Sequence, residues 1–163
     1  MKIDEIMKRN VKVCRQGDNL NSAAQLMWDN DCGCVPVLAS DGSGKIVGVI
    51  TDRDICMAAY TQGKPLCEIA VESAMATKAL TCKPSDDLVL AEAIMRETRI
   101  RRILVADENG AIKGIVSLND IARNAVAMPE RKAAQAFQTE VARTLAAICE
   151  PRPHRAEPMP LAA

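Results

Sequence analysis

The feature that most constrains this chain is an internal repeat. Asp18 matches Asp86, Leu20 matches Leu88, Ala23 matches Ala91 and Met27 matches Met95, all at an offset of 68 residues. Met7 and Met75 keep that offset upstream, and Val35 with Ile103 and Val37 with Val105 keep it downstream. GVITDRDI, from Gly48, then matches GIVSLNDI, from Gly114. The offset has fallen to 66, so the first copy carries two extra residues in the loop DGSGK, where an insertion costs little. Repetition at this period means two copies of one supersecondary unit, each too small to bury a core alone.

The hydrophobic pattern inside each copy predicts the elements. Leu20, Ala23, Ala24 and Met27 fall at i, i+3, i+4 and i+7, one apolar face of a helix. Asp18 is its expected cap. A strand is expected at 35–38, a turn at 40–44 and a paired strand at 46–50. Thr51 then caps a helix to about Tyr60, with Gly63 available to end it. The second copy predicts a helix at 88–97, strands at 103–106 and 112–116, and a helix from Leu118, with short leading strands around 11–14 and 79–82. The expected fold is α/β, of the α+β kind. Two pseudo-symmetric βαββα repeats, 1–62 and 63–126, pack sheet to sheet about a pseudo-twofold axis. A helix over 127–150 follows. Its stripe of Phe137, Val141, Leu145 and Ile148 needs a cover, expected at a homodimer interface, with packing on its own subunit as the alternative. The proline-rich segment 151–163 is expected to be a flexible tail.

Composition removes several function classes. The 21 basic and 21 acidic residues cancel, so no general field draws in nucleic acid. Trp28, Tyr60 and Phe137 are the only aromatics, too few for a base-stacking platform. No apolar run approaches a membrane span, and MKIDEIMKRN is no secretory signal. Seven cysteines, an odd number, fit reduced thiols in a cytoplasm. The sole histidine, His154, falls in the expected tail, which leaves no His-dependent triad in the folded part. Cys32 and Cys34 lack a second close pair for zinc. Gly42-Ser43-Gly44-Lys45 lacks the first glycine and the hydroxyl of a P-loop, so it reads as a hairpin turn. No nucleophile, base and metal set is present, and the chain is expected not to be an enzyme.

The sharpest signal is duplicated: Gly48-x-x-Thr51-x-x-Asp54 and Gly114-x-x-Ser117-x-x-Asp120. A hydroxyl at a helix start sits among free backbone N–H groups that attract phosphate, and an aspartate one turn on can accept hydrogen bonds from ribose hydroxyls. The same residues also read as capping boxes, and both roles can coexist. The two motifs, with the apolar runs Cys34 to Val37 and Arg102 to Val105 before them, resemble the ribose-phosphate motif of the CBS domains, the cystathionine-β-synthase-like repeats that pair into Bateman modules. The resemblance covers about residues 3–126.

That resemblance implies that Asp54 and Asp120 hold ribose, with Thr51 and Ser117 near phosphate. Arg53 is suited to phosphate, Asn119 holds the matching variable position, and Arg101 and Arg102 border the second cleft. Adenine would lie near Val11 and Val35 in one cleft and near Ala79 and Ile103 in the other. The expected function is a non-catalytic regulatory module. It would require no cofactor and would sense AMP, ADP, ATP or S-adenosylmethionine and signal to an effector protein. The alternative is a ligand-free interaction module that serves as a dimerisation scaffold.

Overall fold

Each matched half of the sequence folds into a three-stranded mixed sheet carrying two helices. The computed structural model describes residues 1–127 and 132–150, with the side chains of 132–134 outside that description. In the first half, β1 (Cys14–Arg15), α1 (Leu20–Asp29), β2 (Cys34–Leu38), β3 (Ile46–Thr51) and α2 (Asp52–Gln62) follow in order. The second half repeats them as β4 (Thr81–Cys82), α3 (Leu88–Thr98), β5 (Arg102–Ala106), β6 (Ile112–Ser117) and α4 (Leu118–Ala127). The sheet orders are β1-β2-β3 and β4-β5-β6, each with one parallel and one antiparallel pairing. Even an irregularity is duplicated: the register slips between Val37 and Leu38 and again between Val105 and Ala106. A bulge at the same place twists both hairpins alike.

Local chemistry sets the helix ends. Thr51 caps α2, and Gly63 ends it in the left-handed region at φ 61°. The expected cap of α1 is corrected by one residue. Asn19 accepts the Ser22 amide at 3.0 Å, whereas Asp18 turns back to accept the Arg15 amide at 2.7 Å. Asp86 does the same for the Lys83 amide in the second half. The aspartate common to both copies therefore closes the turn before the helix, an Asx-type role that competes with capping.

The two cores are completed by exchange. Ile3 and Met7, at the start of the chain, are buried with Leu88, Met95, Ile103 and Ile121 of the second half. Ile69 and Val71 are buried with Leu20, Val35 and Ile50 of the first, and Met75 packs against them. After each exchanged turn the backbone pairs with the far hairpin. Lys8 and Ile115 exchange hydrogen bonds of 2.9 and 3.0 Å, and Ala76 and Val49 exchange bonds of 2.9 and 3.0 Å. This explains the duplicated motif glycines. A Cβ at Gly114 would stand 2.9 Å from the Lys8 carbonyl oxygen and 2.8 Å from Met7 Sδ. At Gly48 it would stand 2.8 Å from the Ala76 carbonyl oxygen and 2.7 Å from Met75 Sδ.

α5 (Lys132–Cys149) lies across α3 and α4 of its own chain. Val141 and Ile148 are buried, Phe137 packs against the same core, and Thr144 fills the interior position between them. Leu145 remains 48% exposed, because a straight helix turns it out of the seam that 137, 141, 144 and 148 follow. The stripe thus finds its cover within the chain, the alternative of the two expected, and not at a partner subunit. Pro129, and 151–163 with His154, lie outside the described residues. No helix of the described residues is long and apolar enough to cross a membrane.

Candidate functional site

Both motifs place a hydroxyl and a carboxylate at a helix start. In the first, Thr51 N donates to Asp54 Oδ2 at 2.9 Å, Thr51 Oγ1 donates to the same oxygen at 2.7 Å, and Asp54 N donates back to Thr51 Oγ1 at 3.2 Å. In the second, Ser117 N donates to Asp120 Oδ2 at 3.0 Å, Ser117 Oγ also donates to Asp120 Oδ2, and Asp120 N returns a bond to Ser117 Oγ at 3.2 Å. These are reciprocal capping boxes, so the capping role holds at both motifs. Each box uses one carboxylate oxygen and leaves the other for different work.

The surroundings of the two differ. Asp120 is buried, and its Oδ1 receives Arg123 Nη2 at 2.7 Å and Lys8 Nζ at 3.3 Å. Burial alone would raise its pKa. Hydrogen bonds from Ser117, Arg123 and Lys8 outweigh that and hold the carboxyl below its usual range. Asp54 is half-buried, and its hydrogen bonds stay within the box.

Ser117 and Asp120 open into a cavity of about 300 Å³. The exchange of leading segments builds it: Lys8, Asn10, Val11 and Lys12 come from the start of the chain, Cys32 and Cys34 from the first half, and Arg102, Asn119 and Arg123 from the second. Four cationic side chains, Lys8, Lys12, Arg102 and Arg123, face two carboxylates, Asp31 and Asp120. Arg102 is half-buried and has no carboxylate within ion-pairing distance among the described residues. A ring of cations beside a capped helix start suits an anionic group, and Val11 offers an apolar wall. Burial and then the opposing pull of Arg102 leave the Cys34 thiol raised to about 11, so this cavity-wall cysteine is not a thiolate at neutral pH.

The structure therefore brings Val11, Arg102, Ser117, Asn119 and Asp120 together. It does not bring Val35 or Ile103 to a cleft. Both are essentially fully buried, one in each core, because strand alternation points them at the helices and turns Cys34 and Arg102 toward the cavity. Those two expectations are corrected. Ala79 lines a separate cavity of about 660 Å³ with Lys78, Asp86 and Asp107. Thr51, Arg53, Asp54 and Arg101 line neither of these cavities, nor the one of about 700 Å³ beside Trp28. Arg53 and Arg101 are exposed.

Sequence reasoning missed Lys8, Asn10, Lys12, Cys34 and Arg123. Arg123 lies one turn from Asp120 on α4, a spacing that could have been read as an ion pair. Lys8 and Lys12 gave no such signal, since the segment that carries them crosses to the other half. All seven cysteines are free, and no cluster of three or more His, Cys, Asp or Glu suited to a metal occurs among the described residues.

Comparison with known proteins agrees with this architecture. The model of the CBS domain matches residues 3–60 and again 71–127. A CBS domain-containing protein of Bacillus subtilis, YhcV, is 30% identical over 122 residues, which span 75% of this chain and 84% of that one. The CBS domain protein PAE2072 of Pyrobaculum aerophilum, solved in complex with AMP, superposes with a TM-score of 0.71 at 22% identity, covering 85% of this chain and 98% of that one. The CBS domain pair of MJ0100, solved with 5′-methylthioadenosine and S-adenosyl-L-methionine, gives a TM-score of 0.68 at 22% identity, covering 76% and 94%.

Proposed function

This chain belongs to the CBS-domain family, carrying two copies of the domain, and on that premise we propose that it is a non-catalytic sensor of an adenosine nucleotide. The ligand sits in the cavity of Ser117 and Asp120. The observation that carries this reading is the half-buried Arg102, without an ion pair among the described residues, set with Lys8, Lys12 and Arg123 around a capped helix start. That cluster favours a phosphate-bearing ligand such as AMP, ADP or ATP over S-adenosylmethionine, whose sulfonium adds positive charge to a cationic ring. The ribose replaces Lys8 or Arg123 at Asp120 Oδ1, and the base lies against Val11. The AMP and S-adenosylmethionine complexes of the two structural neighbours support the adenosine class. Binding shifts the packing of the two repeats by the difference in affinity for the two arrangements, and the shift passes to an effector protein. Seven free thiols suit a reducing cytoplasm.

The module also forms a homodimer in this reading, through the outer face of α1 and α2. Trp28 is 85% exposed and Tyr60 62% exposed there, and Met57 is exposed beside them. The equivalent face of α3 and α4 is already covered by α5. Light scattering at high micromolar concentration tests it: a 17.6 kDa particle would exclude the dimer.

One observation favours the scaffold alternative. Asp120 Oδ1 is already satisfied by Arg123 and Lys8, so the site is closed by its own side chains. Calorimetric titration with AMP, ATP, S-adenosylmethionine and GMP separates the readings. Binding of an adenine nucleotide that is lost in Arg102→Ala supports the sensor. No heat from any of them at millimolar concentration leaves the scaffold.

A further inference from the structure

Among the described residues, the one buried side chain whose polar atoms lack a hydrogen-bond partner lies away from the proposed nucleotide cavity, on the face of α3 that α5 covers. Glu92 is completely buried, and neither carboxylate oxygen has a hydrogen-bond partner among the described residues. The repeat shows that this carboxylate belongs to the covered face. Its counterpart on α1, 68 residues earlier, is Ala24, half-buried near the short turn Leu66–Glu68, and the described residues place no long helix equivalent to α5 over α1.

The charges around Glu92 are few. Arg96, one turn along α3, is its nearest cation, but the guanidinium is committed to α5: it pairs with Glu140 and donates to Thr144 Oγ1 at 3.1 Å. Glu140 faces Glu92 with the same sign of charge and holds Arg143 at 3.6 Å. Arg99, at the end of α3, pairs with Glu150 at 2.8 Å. Arg123 on α4 is held by Asp120, and the Lys2–Asp87 pair lies at the N-terminal end of α3. Among the described residues, each cation near Glu92 is engaged elsewhere while α5 is seated. Burial first, then Glu140, push its carboxyl up to about 7 against the opposing pull of Arg96.

We propose that Glu92 makes the docking of α5 proton-dependent: α5 seats fully on α3 when the carboxyl is protonated, and ionisation loosens the helix. An ionised carboxylate in this seam has two ways to recover solvation or a counter-charge. It takes Arg96 from Glu140, which breaks the α3–α5 ion pair, or it reaches water, which lifts α5. Once α5 has lifted, Glu92 is an ordinary exposed glutamate that ionises near 4.5. The docked state therefore binds the proton more tightly than the undocked state. Docking is strongest below pH 4.5 and weakens roughly tenfold per pH unit up to about 7, where it levels off. α5 also packs on α4, which is capped by Ser117 and carries Asp120 in its first turn, so the same event reaches the wall of the nucleotide cavity.

Hydrogen–deuterium exchange of the full chain tests this. Amides of 135–149 are followed from pH 5 to 8 after correction for intrinsic exchange, with the β2–β3 hairpin as internal reference. Wild type should lose α5 protection with the slope just given while the hairpin stays constant. Glu92→Gln keeps the shape without the charge, and its α5 protection should not depend on pH. Glu140→Gln removes the repelling carboxylate and frees Arg96 for Glu92, so its transition should move to lower pH. A flat wild-type profile would overturn the proposal, as would an unchanged slope in Glu92→Gln. If Glu92→Gln does not fold, Glu140→Gln decides: an unmoved midpoint refutes the latch.

Discussion

The two duplicated motifs share a backbone plan and a capping box, yet they differ in what surrounds the aspartate. Asp120 is buried, held by Lys8 and Arg123, and faces a cavity ringed by cations. Asp54 is half-buried and bonds only within its box. The same motif thus carries two environments, because the neighbours come from different parts of the chain. Lys8 lies across from Ser117 and Asp120, whereas its counterpart at offset 68 is Ala76. A repeat copies the backbone and, at these two motifs, the capping box. It does not copy the side chains that the other half contributes.

The comparison can be broken first at its common part. Gly114→Ala and Gly48→Ala should each destabilise the fold by about 1–3 kcal/mol, since the new Cβ meets a backbone oxygen that cannot move without the exchanged turn. Denaturant midpoints measure this, and nearly equal losses would show that both exchanges bear equally on stability. If either variant is neutral, the close approach at that glycine is not needed.

The aspartates come next. Asp120→Ala should cost about 2 kcal/mol, for it removes the capping-box acceptor of Ser117 together with the acceptor shared by Arg123 and Lys8. Asp54→Ala should cost about 1 kcal/mol, a cap alone. Equal losses in urea melts would erase the distinction. Only Asp120→Ala should also abolish a nucleotide-induced rise in melting temperature.

Acid sharpens the contrast. The folded Asp120 carboxyl is held below its ordinary value of 3.8, so it contributes stability above that pH and loses it as pH falls through the folded value. The stability gap between wild type and Asp120→Asn should therefore be constant from pH 5 to 7 and close below about pH 4. A gap that persists in strong acid would mean that shape, not charge, matters there.

The smallest effects on stability are expected at the arginines. Arg102→Ala should lower nucleotide affinity by tenfold or more while changing stability by no more than about 0.5 kcal/mol, as befits a side chain with no ion pair among the described residues. Arg53→Ala, at an exposed position, should change neither. Titration calorimetry on both variants separates an anion site in the second motif from a general charge effect.

Much of this was legible in the residues. Alternation and helical spacing located each strand and helix to within a few positions, because those periods are properties of the local backbone. The cap of α1 was misplaced by one residue because Asp18 and Asn19 are both able caps, and only the turn before the helix shows which is already engaged. Val35 and Ile103 were misassigned for a related reason. In a strand apolar on both faces, the side that meets the helices is not marked by the residues themselves. The orphan Glu92 gave no signal either, since a glutamate in a helix of this composition reads as solvated until another helix covers it.

What the sequence by itself determined was therefore the local and the duplicated: two βαββα units, their capping boxes, an appended amphipathic helix, and the family to which the repeats belong. The tertiary structure decided who meets whom. It sent residues 3–8 and 69–76 to the opposite halves, set α5 on α3 and α4, and so made one cavity cationic and one glutamate buried. The physical reason is range. Helical and strand periods are fixed by neighbours a few residues apart, whereas each of these outcomes depends on contacts between segments far apart in the chain.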